Sequence, residues 1–334
     1  MNETTTTGCI LRWLAGVATA LLAGHAGGVW AADYPSRPLA IVVPAATGGP
    51  TDILARLVAE GMSRQLQQTV IVENTPGGGG TIALRRVARA EPDGHTLVLA
   101  NVGMLAATPT LHNDLQYDAL TDLVALASVA DSPMVLSVKN DLPVANLAEF
   151  ADYVRANAGK LNYGSAGVGS GTHLGGILVN TALGVDVQPI HYRGGGQAIT
   201  DVMAGHIDYM IESATTAVAS VGSKRVKGLA VLSESRMSTL PDVPSSAEAG
   251  FPDLNFDIWN MLLAPAATPP DRIETLSGAL VALLSEPDFV DQLSQLGLIL
   301  PPSAHRSAQG AADLLRDDTR KWRRILTDAG LAVN

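Results

Sequence analysis

Cysteine is nearly missing from this chain of 334 residues: its single example, Cys9, lies near the start. Everything after Ala31 has none, which excludes a disulfide and a thiol nucleophile there. Basic side chains are also few. Twenty-two Lys and Arg stand against 32 Asp and Glu, a formal net charge of −10. Nucleic acid wants a basic face, so this balance argues against such a partner. Metal-ligand spacing is missing too. His95, His112, His173, His191, His206 and His305 are scattered, and no HExxH, Walker A or CxxC sequence occurs. Neither a metal nor a cofactor is expected. Long apolar runs are confined to the N-terminus.

That N-terminus reads as an export signal. Arg12 is its only basic side chain, Leu14–Ala26 is an apolar run, and Val29-Trp30-Ala31 fits the small-x-small rule for cleavage after Ala31. The run is short for a membrane span, which needs about 20 residues. Cys9 lacks the setting of a lipoprotein cysteine. The expectation is an exported soluble chain. Its composition, 47% hydrophobic and 16% charged, is that of a globular protein, and its length suits two α/β domains.

Short β-patterned runs alternate with helical spacing almost throughout. Strands are expected at 41–43, 70–73, 97–100, 123–129, 134–138, 161–164, 189–192, 207–211, 228–232 and 256–264. Helices are expected at about 52–60, 80–90, 146–158, 173–183, 197–204, 271–284, 288–296 and 308–329. Asn146 and Glu149 form a capping-box-like start. Such alternation predicts parallel sheets with helices on both faces. No fixed-period repeat and no long linker appear. Two domains would be joined by strands, with Asp131–Met134 and Asn255–Trp259 as the crossings.

Several glycine-rich loops stand between a strand and a helix. Thr47-Gly48-Gly49-Pro50-Thr51-Asp52 opens the first helix. Helix starts carry unpaired N–H groups and partial positive charge, so an anion is at home there. Taken alone, the loop reads better as a plain turn capped by Thr51 or Asp52. Gly78-x-Gly80-x-x-Ala83 matches a dinucleotide fingerprint, yet the next strand ends at Ala100-Asn101 and offers no acid for a ribose; a turn is the better reading. The richest loop is Gly164–His173, with hydroxyls at Ser165, Ser170 and Thr172. Neither Ser165 nor Ser170 has the flanking glycines of a nucleophile elbow, and His173 reads as a loop or core histidine rather than a general base. Tyr192-Arg193-Gly194-Gly195-Gly196 is a third such loop, where Arg193 either forks a carboxylate or is solvated. Glu212 follows the strand 207–211 and either reads a ligand or caps a helix. Trp259 is core or a stacking platform. Several helix starts aimed at one crevice would make an anion receptor with no base or nucleophile. A Debye length of about 8 Å damps the distant negative charge, so local N–H groups govern affinity.

Together these stretches resemble the receptors of the tripartite tricarboxylate transporters, the TctC-like or Bug family. The residues that carry the resemblance are Ile41-Val42-Val43-Pro44 with Gly48-Gly49 and Thr51-Asp52, Val72-Glu73-Asn74 with Pro76-Gly77, Pro92-Asp93-Gly94, Leu161–Gly167, His191–Gly194, Leu240–Pro244, Glu248-Ala249-Gly250 and Leu263-Ala264-Pro265. They span nearly all of residues 34–330. The resemblance implies an α/β, two-lobed periplasmic binding protein of type II-like form, with two mixed sheets, helices on both faces and a ligand cleft between the lobes. The expected division is a signal peptide 1–31, lobe 1 from 32–132 and 259–334, and lobe 2 from 133–258. It implies a monomeric, non-enzymatic periplasmic receptor that closes on a small carboxylate and delivers it to membrane permease subunits. The candidate binding residues are Thr47, Gly48, Gly49, Asn101, Ser165, Ala166, Thr172, Tyr192 and Glu212. Where the family's first loop has Phe, this chain has Ala45, so the acid's identity does not carry over; mono-, di- and tricarboxylates, amino acids and aromatic acids stay open. Two other readings are kept: a ligand sensor docking on a signalling partner, and an exported hydrolase using Ser165 or Ser170 with His173.

Overall fold

Residue 123 begins the strand that organises the molecule. In the computed structural model, which describes residues 34–332, Leu123–Val138 is one strand of 16 residues, buried at nearly every position. The expected export signal, its cleavage point and Cys9 lie outside the described residues. The chain divides into two units, Met1–Ser36 and Arg37–Asn334; of the first, only Tyr34–Ser36 is described. The helices and strands described here all belong to the second unit.

Its elements in chain order are β1 (Leu39–Val43), α1 (Pro50–Leu66), β2 (Val70–Asn74), α2 (Thr81–Ala88), β3 (Thr96–Asn101), a π-turn (Gly103–Ala107) running into α3 (Thr108–Leu111), β4 (Leu123–Val138), α4 (Leu147–Asn157), β5 (Asn162–Ser165), α5 (Gly171–Leu183), β6 (Gln188–His191), α6 (Gly195–Met203), β7 (Tyr209–Ser213), α7 (Ala214–Gly222), β8 (Lys227–Val231), β9 (Asp257–Pro265), α8 (Pro270–Leu283), α9 (Pro287–Gln295) and α10 (Ala308–Asp328). The strands pair in the order β2-β1-β3-β9-β4-β7-β5-β6, with β8 also on β4. β1 runs parallel to β2 and β3, and β5 runs parallel to β6 and β7; β9 and β4 are antiparallel to their neighbours. The sheet is thus mixed, as the family resemblance implied, with the parallel pairing expected from strand-helix alternation found within β2-β1-β3 and β7-β5-β6. It is mixed because β9 returns from the far part of the chain to lie between β3 and β4.

Two separate strands were expected at 123–129 and 134–138, split by Asp131-Ser132-Pro133. The strand runs through. Its first part pairs with β9, from Leu123↔Pro265 to Pro133↔Asp257. From Met134 it pairs with β7 on one side and β8 on the other. Proline has no N–H to donate, and Pro133 sits where the pairing passes from one partner to the next, so the ladder tolerates it.

Helices cover the sheet with apolar stripes. In α10 the buried residues are Ala311, Leu315, Thr319, Trp322 and Leu326, a spacing of three and four that keeps one face inward. Trp322 meets Phe256 edge-on at 5.3 Å. The expected start of α4 holds: Asn146 Oδ1 accepts from Glu149 N–H at 2.9 Å, and Glu149 Oε2 accepts from Ala145 N–H at 2.8 Å. An unexpected helix is α7. No helix among the described residues is long and apolar enough to cross a membrane.

Candidate functional site

Four helices of eight residues or more, α1, α5, α6 and α7, begin around one cavity of about 190 Å³. Thr51 belongs to the first turn of α1, Gly171 and Thr172 to α5, Gly195 and Gly196 to α6, Thr215 and Thr216 to α7, and all of these line it. Helix starts leave their first N–H groups without intrahelical partners. A side chain caps only α5, where Ser170 Oγ accepts from His173 N–H at 3.3 Å. The residues preceding α1, α6 and α7 are Gly49, Gly194 and Ser213, and none makes a side-chain cap bond.

The remaining wall is neutral. Asn101 ends β3, Asn260 and Ile258 come from β9, Ser132 from β4 and Met210 from β7, with Leu54 and Leu298 beside them. Among the described residues no Asp, Glu, Lys, Arg or His lines the cavity. The lining is drawn from both the β1-β2-β3 side and the β5-β6-β7 side of the sheet, with β4 and β9 between. Ser132 Oγ and Thr215 Oγ1 are buried and find no hydrogen-bond partner among the described residues. Larger hollows, of about 450 Å³ beside Arg236–Thr239, about 590 Å³ beside His173 and His191, about 330 Å³ beside His112–Leu120 and about 550 Å³ beside Gln65 and Asp271, do not bring several long helix starts together. No group of three or more His, Cys, Asp or Glu among the described residues could hold a metal.

The structure brings Asn101, Ala166 and Thr172 of the candidate residues to this cavity. The others stand behind it. Thr47 Oγ1 lies 3.2 Å from Asn74 Oδ1 at the surface, and Gly48 N–H donates to Asp52 at 2.8 Å. The loop 47–49 is therefore adjacent to the lining rather than part of it, and the cavity meets α1 from Pro50 onward. Asp52 does not cap from outside. It is buried inside the first turn and also accepts from Arg56 (3.0 and 3.1 Å) and Asn74 (2.9 Å). Burial alone would raise its pKa; the bonds from Arg56, Gly48 and Asn74, with the Arg56 charge, outweigh it and hold the carboxyl below its usual range.

Ser165 is fully buried. Its Oγ donates to Gly167 O and accepts from Gly167 N–H, both at 3.1 Å, and lies 3.0 Å from His191 Nδ1. It shapes the loop that presents Ala166, whose N–H donates to Thr172 Oγ1 at 2.7 Å. His173 Nδ1 accepts from Gly169 N–H at 3.1 Å, which orients the same loop. Burial, then the neighbouring His191, lowers the His173 pKa to about 4. Tyr192 OH donates to Asp201 at 2.6 Å, outside the cavity lining, and Arg193 is exposed. Glu212 does not reach the mouth. It is fully buried, Oε1 accepting from Ser137 at 2.5 Å and Ser220 at 2.7 Å, because α7 folds back over it. Burial raises its pKa against the bonds from Ser137, Ser220 and Thr216. Trp259 is core; its Nε1 donates to Asp318 at 2.6 Å.

Missed from the sequence were Thr51, Ser132, Met210, Thr215, Thr216, Ile258, Asn260 and Leu298. Ser213 just before Ala214 was a readable N-cap signal for α7. Thr51 lies in the first turn of α1, whose start the loop 47–52 did mark, and Leu298 follows α9; Ser132, Met210, Ile258 and Asn260 arrive by long-range strand pairing, as in Asn101↔Asn260, and carry no local mark.

Comparison with known proteins agrees with this architecture. Residues 54–331 match the model of the tripartite tricarboxylate transporter family receptor. The chain is 35% identical over 300 residues to the UPF0065 protein in the TAR-I ttuE-ttuC' intergenic region of Agrobacterium vitis, covering 89% of this chain and 86% of that one. Among solved structures it resembles the periplasmic binding protein BugD, at 36% identity and a TM-score of 0.80, covering 90% of this chain and 99% of that one. It also resembles MatC from Rhodopseudomonas palustris with bound malate, at 34% identity and a TM-score of 0.80, over 88% and 100% of the two chains. Matched by the family model over most of its length and by relatives over nearly all of it, this chain belongs to the tripartite tricarboxylate transporter receptor family, a family of solute-binding receptors of the Bug type.

Proposed function

We propose that this protein captures a small carboxylate in the cavity among the four helix starts and delivers it to the membrane subunits of a tripartite transporter. The observation that carries this reading is the convergence of α1, α5, α6 and α7 on one neutral cavity, three of them with no side-chain cap. A buried helix start without partners is unfavourable, and each end carries about half a positive charge. A carboxylate supplies acceptors to several N–H groups at once, each charge-assisted bond adding about 1.5–3 kcal/mol. Malate bound to MatC is an acid of this kind.

Capture by closure is supported by where the lining comes from. In this reading residues 133–258 form one lobe and 32–132 with 259–334 the other, with β4 and β9 as the strands between them. A ligand touching both sides favours the shut form, whereas one touching a single side would shift nothing. The expected location is the periplasm, as for BugD.

The test is a thermal-shift and calorimetric screen of mono-, di- and tricarboxylates. A binding acid raises the melting point by mass action, and Thr172→Val should weaken it about tenfold. A screen in which no acid binds contradicts the reading.

A further inference from the structure

Ser132 and Thr215 share one corner of the cavity, though they are 83 positions apart in the chain. Strand β4 pairs antiparallel with β7 through Met134↔Ser213; Ser132 lies two residues before that pair and Thr215 two residues after it, in the first turn of α7, and both line the cavity. The segment after α9 closes the corner from outside. Ile299 exchanges both backbone hydrogen bonds with Asp131 at 2.9 Å, and Gly297 packs on the backbone of Ala214. Leu298, held between these two anchors, lines the cavity.

Ser132 is 5% exposed, and its Oγ and Thr215 Oγ1 are buried with no partner among the described residues. A buried hydroxyl left unpaired is unfavourable, and such groups in native proteins call for an explanation. Each can donate one hydrogen bond. The start of α7 adds N–H donors at the same corner, since Ser213 makes no cap bond. Donors thus collect there, and among the described residues no acidic or basic side chain lines the cavity to answer a charge. An acceptor is the group that would satisfy the hydroxyls and the helix start together.

We propose that Ser132 Oγ and Thr215 Oγ1, with the start of α7, form a second reading point that donates to an oxygen at the far end of the bound acid. This inference rests on the carboxylate reading given above. It makes both hydroxyls specificity-determining: an acid with oxygen at both ends satisfies them, whereas one ending in a methyl group leaves them unpaired. Size is consistent. A cavity of 150 Å³ holds benzene, so the 190 Å³ here suits an acid of roughly six to ten non-hydrogen atoms. The oxygen belongs either to a neutral hydroxyl or to a second carboxylate, and the two can be told apart.

The experiment is calorimetry on the full chain with hexanoate, 6-hydroxyhexanoate and adipate, and with butanoate, 4-hydroxybutanoate and succinate. At least one oxygen-ended acid should bind about tenfold or more tightly than its methyl-ended counterpart. The winner, hydroxy acid or di-acid, identifies the oxygen. In the Ser132→Ala, Thr215→Val double variant that preference should fall to about twofold or less. If the double variant does not fold, either single variant should lose part of the preference. A methyl-ended acid that binds equally well to the wild type, or a preference that survives both substitutions, overturns the inference while leaving the carboxylate reading standing. Failure of all six acids to bind counts against the carboxylate reading itself.

Discussion

Gly103 and Gly169 meet across the two sides of the cavity: a Cβ built on Gly103 would stand 2.5 Å from Gly169 O. Gly103 opens the π-turn after β3 and Gly169 belongs to the loop before α5. A backbone oxygen cannot swing aside as a side-chain end can, so any side chain at 103 has to push the two loops apart. If closure brings these loops together, Gly103→Ala should weaken acid binding about tenfold or more, in line with an overpacking cost of about 1–3 kcal/mol. The urea midpoint of the ligand-free protein should stay near wild type. Equal affinity in wild type and variant would show that the contact plays no part in closure.

Asp52 is the anchor of the first loop. Its carboxylate accepts from Gly48, Arg56 and Asn74 while nearly fully buried. Asp52→Asn should cost about 2–3 kcal/mol, the scale of hydrogen bonds to a buried charge. The folded pKa is depressed, so this stability is present above the unfolded value of 3.8 and is lost as pH falls through the folded one. Urea melts of wild type and variant should differ at pH 7 and converge in strong acid.

His173 should behave as a neutral acceptor. Its Nδ1 takes the Gly169 N–H, which an imidazolium cannot do. With the pKa lowered from 6.5 to about 4, its contribution is full above pH 6.5 and is lost as pH falls toward 4. NMR titration should place the imidazole midpoint near 4, with the Gly169 amide losing protection over the same interval. A midpoint near 6.5 would contradict this.

Three carboxylates face one another at the crossing strands: Asp131 on β4, Asp257 on β9 and Asp318 on α10, with Lys321 near Asp257. Burial, then Asp257 and Asp318, pushes Asp131 up to about 7; burial pushes Asp257 up to about 6, against Lys321. A raised acid contributes stability below pH 3.8 that is lost as pH rises through the folded pKa. Asp131→Asn should therefore stabilise the protein at pH 8 by about 2 kcal/mol and much less at pH 5. Equal effects at the two pH values would refute the shift.

Much of the fold was legible because its signals are local. Asn146 and Glu149 announced α4, and the glycines at 164–171 and 194–196 announced two of the four helix starts. The site was legible only in outline. Thr47, Gly48 and Gly49 lie next to the cavity, whose lining takes up α1 from Pro50 and Thr51. Glu212 was expected just after a strand; it lies inside β7, paired with Val135, where α7 covers it, and nothing near Ser213 except its own hydroxyl marks that helix. Ser132, Ile258 and Asn260 read as interior strand residues. Only the passage of β4 and β9 between the two sides of the sheet turns them into a wall, and register between distant strands leaves no trace in either strand's own sequence.

The most direct measurement is a crystal structure of the protein with the tightest acid from the screen. The account predicts carboxylate oxygens within about 3 Å of first-turn N–H groups from helices on both sides of the sheet, with the acid chemically unchanged. An acid seated in one of the larger hollows, or held by a charged side chain instead of helix starts, would contradict it.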